Sequence, residues 1–459
     1  MTDLLREKIT TNRFTLLIFS FIAFLFLFFG FYNNTYNVVA EKRFENFEKY
    51  SESLVIGKLA VAKKQGIFYK GGLTGRIMDV PKNKNPILYQ YELYTKQLEF
   101  NSKKYHTYNS QTGGQALFFA SLDNILPFKK SINLKIFYII TSILSSILLT
   151  LFLVWVAGMY DVLTAAFALL FILLSPWITI FGRNIWWSLW SFYIPFITML
   201  LCFNKESLRN IHISYFRLFL ISLMAMLAKC FFTGFEYITT TIIMALTPLL
   251  FYTIYQHWNL KKFIKRLFYV SSGYISAILL SFVILAIQIS YVKGSIVKGF
   301  EHIIYSFGKR TSGDPSNFPE VYKDSLQSSY TGILKKYLTG KAYDFNSFIH
   351  FGGRHLWIID FRELIFIFIV FSILYYYILK RVSINDLNRS KGKALLITLW
   401  VSILAPISWF IIFKGHSYIH THMNFIVWYM PFCLFGFVVI GVVLSHLLKR
   451  AFNFFKRNN

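Results

Sequence analysis

Few side chains in this 459-residue chain could do chemistry, because 55% of it is hydrophobic and only 15% is charged. The richest stretch is Tyr50-Ser51-Glu52-Ser53-Leu54-Val55-Ile56-Gly57-Lys58-Leu59, which runs on through Gly66 to Gly71-Gly72-Leu73-Thr74-Gly75-Arg76. Glu41, Glu45, Glu48 and Glu52 are spaced four, three and four residues apart, so a helix would gather them on one stripe. A solvated face would look the same, and Lys42 and Lys49 suit that reading. Glu52 differs because Leu54, Val55, Leu59 and Val61 follow it. A carboxylate between a wet and a buried face suits a general base that takes the proton of an incoming hydroxyl. Glu52 is therefore the expected catalytic residue.

Four further clusters hold groups that could bind phosphate or sugar. Arg183-Asn184 precedes Trp186-Trp187, and Arg binds phosphate in a forked geometry, although an interfacial anchor has the same composition. Lys229 and Glu236 flank an apolar stretch at a helix end, where charge is costly and points to function or to mutual pairing. Arg354-His355 lies just before a later apolar run, at a depth suited to phosphate or to snorkelling. Lys414, His416, His420 and His422 fall close together. His416 and His420 are four apart, as helical metal ligands are, but no nearby carboxylate completes a site and His420-x-His422 suits a strand or turn. We expect either polar donors for phosphate or sugar hydroxyls or a plain hydrogen-bonded loop there, rather than a metal. The loop Tyr108–Gln115 is a weaker candidate for lining a sugar site, and the second large loop holds Lys309-Arg310 before the turn signal Asp314-Pro315.

The elements that must position these groups are membrane helices. Long uncharged runs predict about ten, at 14–32, 134–156, 160–180, 185–203, 214–233, 236–256, 267–292, 362–380, 394–413 and 425–447. The expected fold is an all-α polytopic membrane protein. Residues 1–32 form a basic N-terminus and an uncleaved first helix, since no small-x-small site follows the apolar run. Residues 134–292 and 362–459 hold the other helices, the latter with a basic tail. Segments 33–133 and 293–361 are too long for simple connections, and we expect them to fold together as a small α-rich cap. The net charge of +27 suits nucleic acid only at first sight. Lys and Arg concentrate in alternate short loops, such as Lys205 and Arg209, Lys261–Arg266, Lys380 and Arg381, and Lys449 and Arg450. That pattern places both termini in the cytoplasm and the two long segments outside. The three cysteines, Cys202, Cys230 and Cys433, are scattered in apolar runs and form no metal or disulfide motif.

The Glu52–Leu59 stretch, its Ala-rich continuation, Gly66 and Gly71–Gly75 resemble the first outer loop of GT-C-type membrane glycosyltransferases. These are polytopic enzymes that use polyprenyl-phosphate-linked sugars, with an acidic residue or pair near the start of that loop. Ser51 stands where one carboxylate would be, so Glu52 alone matches. The resemblance implies a bacterial inner-membrane enzyme that adds a sugar to a lipid-linked or polymeric envelope glycan. O-antigen glucosylating enzymes of the serotype-converting kind are similar in size and layout. Arg183, Arg354 and His416 would contact the donor phosphate, and Asn184, Lys229, Glu236, His355, Lys414, His420 and His422 would complete the donor site, with Glu236 as the second acid. The resemblance fixes no cofactor: some relatives use a divalent ion and others do not. An O-antigen polymerase, a lipid-linked glycan flippase and a non-enzymatic assembly protein are the competing readings.

Overall fold

The computed structural model describes residues 13–347, 358–381 and 386–458. The chain begins with α1 (Arg13–Asn33) and the amphipathic α2 (Glu41–Gln65). Strand β1 (Gly75–Ile77), α3 (Pro86–Thr95), β2 (Tyr105–Thr107) and α4 (Gly114–Ile125) complete the first long segment. The bundle continues through α5 (Lys130–Met159), α6 (Val162–Leu173), α7 (Pro176–Gly182), α8 (Leu189–Arg209), α9 (Tyr215–Thr233), α10 (Ile238–Tyr255) and α11 (Leu260–Lys293). The second long segment holds α12 (Ile296–Arg310), α13 (Lys323–Gln327), α14 (Tyr330–Leu338), β3 (Lys341–Asp344) and β4 (Ile358–Asp360). Then come α15 (Phe361–Arg381), α16 (Asp386–Ser402), α17 (Leu404–Ile412), α18 (Lys414–Ile419) and α19 (Phe432–Asn458).

Among the described residues, eight stretches are long and apolar enough to cross a membrane, or nine if one bent pair counts as a span. The expectation of about ten is corrected at two places. The run at 160–180 breaks into α6 and α7, which meet at 76°. The sequence Ser175-Pro176 explains the break: proline removes a helical hydrogen bond and crowds the preceding turn but suits the first position of a new helix, and Ser175 Oγ caps that helix by accepting from Ile178 N–H at 3.2 Å. The run at 185–203 becomes α8, whose far end carries Asn204, Lys205, Glu206 and Arg209 and falls short as an apolar span. The cap is also not purely helical. β1 and β2 pair antiparallel with Arg76 opposite His106, and β3 pairs antiparallel with β4.

The loops sort into two ends. At one end, Glu206 and Arg266 form a two-pronged ion pair, with Nη1 to Oε2 at 3.0 Å, and Lys449 reaches Asp161 at 3.0 Å. These lie in the Lys- and Arg-rich connections. At the other end, both long segments meet the short connections before α8 and α10 and after α17. There, Thr112 Oγ1 donates to Cys230 O at 3.0 Å and Phe231 O at 2.8 Å, and Gln288 Nε2 donates to Gly71 O and Thr112 O, each at 3.0 Å. Gly114 seats α4 on α9: a Cβ there would lie 2.2 Å from Phe231 O.

Candidate functional site

The cap end encloses a cavity of about 970 Å³, a size typical of small-molecule sites. One face of α2 lines it through Arg43, Asn46, Phe47, Tyr50, Ser51 and Leu54. Those positions step by three and one, which is one side of a helix. Arg76 from β1, Tyr108, Trp186, Trp187, Glu236, His416, His420 and His422 supply the remaining walls used below. Arg76 Nε donates to Ser53 Oγ at 2.8 Å, and the Arg43 guanidinium lies 4.9 Å from the Trp177 ring centre. The cavity is therefore aromatic, with basic groups on its α2 and β1 side.

Glu236 is the acid of this cavity. It sits in the turn between α9 and α10, and that turn is built around Lys229. The buried Lys229 Nζ donates to Gly234 O at 2.8 Å and to Glu236 O at 2.6 Å. A desolvated ammonium without such partners would be strongly unfavourable, so it pins the turn. Glu236 Oε1 then meets Arg310 Nη2 at 3.1 Å, and the same nitrogen donates to Tyr108 Oη at 2.8 Å. Glu236 Oε2 is buried without a full hydrogen bond; its nearest partner is His416 Nε2 at 3.4 Å. Glu236 Oε2 therefore has room for a further donor, as Glu48 Oε1 on α2 also does, but only the Glu236 oxygen belongs to a residue that lines the cavity.

The His416 ring is held from behind. Tyr237 Oη donates to Asn424 Oδ1 at 3.1 Å, which turns the Asn424 amide nitrogen to His416 Nδ1 at 3.4 Å. An amide nitrogen can only donate, so Nδ1 accepts and Nε2 carries the proton that faces Glu236. Burial, reinforced by His420, Arg310 and His422, holds His416 well below the usual imidazole range. Burial and then His422 lower His420 to about 4. Burial lowers His422 as well. The three rings are thus neutral near pH 7. Their centres are 4.4 Å and 5.7 Å apart in sequence order. Among the described residues no three His, Cys, Asp or Glu side chains converge as metal ligands.

The other expected site residues lie elsewhere. Glu52 points away from the cavity, into the seam between α2, α3 and α5. Its Oε1 accepts from Ile185 N–H at 2.8 Å, and its Oε2 accepts from Tyr138 Oη at 3.0 Å and Tyr91 Oη at 3.1 Å. Burial, then the neighbouring Glu48 charge, raises the Glu52 carboxyl well above the usual range. This is the environment of a buried, saturated carboxyl group, not of a base facing a substrate. Arg183 is likewise committed: it donates to Tyr32 O and pairs with Glu48 at 2.6 Å. Asn184 donates to Ser51 Oγ at 2.7 Å and accepts from the Trp186 and Trp187 N–H groups at 3.0 and 2.9 Å. It shapes the loop that presents the two tryptophans to the cavity. Lys414 Nζ lies over the Tyr330 ring at 4.9 Å rather than in the cavity. Arg354 and His355 fall outside the described residues. Arg310, Asn424 and Tyr237 were not singled out as site residues from the sequence. Lys309-Arg310 was legible only as a basic pair in the second long segment, whereas nothing local flags Asn424 or Tyr237. No known family model, curated protein or solved structure matches the chain.

Proposed function

We propose that the protein is an integral-membrane glycosyltransferase. It moves a sugar from a polyprenyl-phosphate carrier to a hydroxyl of an envelope glycan at the outer face of a bacterial inner membrane. The observation that carries this reading is the under-bonded Glu236 carboxylate, set beside Arg310 in an aromatic cavity at the end of the bundle opposite the basic loops. Sugar transfer needs three things: a proton acceptor, a cation for the leaving phosphate and apolar walls against the sugar ring. Glu236, Arg310, and Trp186 with Trp187 have those chemistries. In the step proposed, the acceptor hydroxyl oxygen bonds to the anomeric carbon. The bond from that carbon to the phosphate oxygen breaks, its electron pair leaves with the phosphate beside Arg310, and the hydroxyl proton passes to Glu236. His416 orients the carboxylate through its Nε2–H.

The base assigned here is Glu236, in place of Glu52. The test is Glu236→Gln in the full-length protein, with glycan analysis of cells carrying wild type or variant. Loss of general-base assistance lowers transfer by roughly a hundred- to ten-thousandfold. Wild-type transfer by a folded Glu236→Gln protein would remove Glu236 from the mechanism.

A further inference from the structure

A second, apolar cleft adjoins the large cavity. It has a volume of about 280 Å³ and lies between α10, α11, α12 and α17, with Ile242, Ile278, Phe282, Ile303, Phe307 and Ile412 among its walls. Its geometry follows from α11. At 34 residues that helix is about 51 Å long, well beyond the roughly 30 Å hydrocarbon core of a bilayer. The chain then reverses at Gly294, whose φ of +78° is left-handed, and α12 runs back along α11. Gly299 permits the close approach, since a Cβ there would lie 2.5 Å from Ala286 O. Along α12, Ile296, Val297, Phe300, Ile304 and Phe307 are exposed. They form one stripe of the kind that rests in a membrane interface. The return of α12 also carries its last residue, Arg310, back toward the bundle.

Among the described residues, Arg310 is the only charged one lining this cleft, and it is the residue that binds Glu236 of the large cavity. A cation at the end of an apolar cleft beside a membrane-seeking helix fits an anionic lipid whose chain lies in the cleft. We propose that the Arg310–Glu236 ion pair is a latch opened by a lipid phosphate: a polyprenyl phosphate enters between α10, α11 and α12, its phosphate takes over the Arg310 guanidinium, and Glu236 is released as a proton acceptor. This rests on the glycosyl-transfer reading above and adds to it the donor's route and the order of events. Guanidinium binds phosphate in a two-pronged manner, so the exchange of partners is chemically matched. The base would then be unmasked only when a lipid phosphate is seated.

The purified full-length protein is titrated with a polyprenyl phosphate, with the matching polyprenol and with inorganic phosphate. Binding is followed by thermal shift, and carboxyl bands by infrared difference spectra. The expected result is that the lipid phosphate binds at least tenfold more tightly than the alcohol, as one lost charged hydrogen-bond pair implies. It should also shift a carboxyl band that is missing in Glu236→Gln. Ile242→Trp, which fills the cleft without touching the ion pair, should weaken binding of the lipid phosphate and leave a folded protein. Arg310→Gln should erase the preference for phosphate over alcohol. Equal binding of alcohol and phosphate, an unmoved carboxyl band, or the same band shift with inorganic phosphate alone overturns the latch. Unchanged lipid binding by Ile242→Trp overturns the route. None of these readouts needs sugar transfer. Lipid binding with a band shift but no transfer upholds the latch and defeats the glycosyltransferase reading, while transfer with an unmoved band does the reverse.

Discussion

Glu52 and Glu236 show how differently two buried carboxyls can be used. Glu52 holds three donors, from Ile185, Tyr138 and Tyr91, while Glu236 keeps one oxygen without a full hydrogen bond. Glu52→Ala removes the acceptor of the buried Ile185 N–H and the shorter of the Tyr91 hydrogen bonds along with that of Tyr138, and should cost on the order of 3 kcal/mol by denaturant or thermal unfolding. Glu52→Gln, close in shape and uncharged, should keep most of the stability and the activity; a dead but folded Glu52→Gln protein would return the base role to Glu52. The histidines give a pH signature. His420 is lowered in the folded protein from about 6.5 to about 4, with burial as the main cause and His422, Arg310 and Lys309 adding to it. A depressed folded value means that the unfolded chain binds the proton first as pH falls. Its stabilising contribution is therefore complete above about pH 6.5 and is lost as pH drops toward 4. Melting temperature should fall through that window, and His420→Gln should fall less; an identical slope in the variant would show that another group governs it. Much of this was hidden in the sequence. The Glu41–Glu52 stripe is visible by spacing, but not which of its members is wet. The partners that bury Glu52 lie 39, 86 and 133 residues away. Spacing within one helix carries no record of such contacts.

Among the elements, the membrane helices were legible because each needs a long apolar run whatever its neighbours do. What escaped were the places where a run continues but the helix cannot. Ser175-Pro176 sits inside apolar sequence, so hydropathy passes over it, yet proline and the Ser175 cap force the bend between α6 and α7. The second long segment was expected to fold, but not the return of α12 along α11, which depends on the fit of Gly299 to Ala286. Docking of the first segment onto the bundle is testable through Gly114. A larger residue there overlaps Phe231 O, so Gly114→Val should lift α4 from α9 and destabilise the protein by roughly 1–3 kcal/mol. Limited proteolysis should then cut the 66–113 region faster. Unchanged cleavage and unfolding would show that α4 is not seated through this contact.

For the molecule as a whole, the distribution of basic residues and the sorting of loops into two ends agree on which connections lie together. By the rule of positive charge, the cap end is the one expected outside. A membrane-impermeant thiol reagent should label Ser102→Cys in intact spheroplasts and label Ser207→Cys only after permeabilisation. Labelling of both from the same side would invert or break the topology. The long α11 and the returning α12 have a kinetic consequence. The large cavity is walled by cap loops, whereas the apolar cleft lies beside a helix that carries its oily stripe on the outside. On the reading proposed above, the two recesses would draw on different reservoirs, water for one and the bilayer for the other. Occupancy of the cleft would track the mole fraction of carrier among lipids, and occupancy of the cavity would track glycan concentration in solution. Reactants arriving through separate doors do not displace one another, so excess of either should saturate the rate rather than inhibit it.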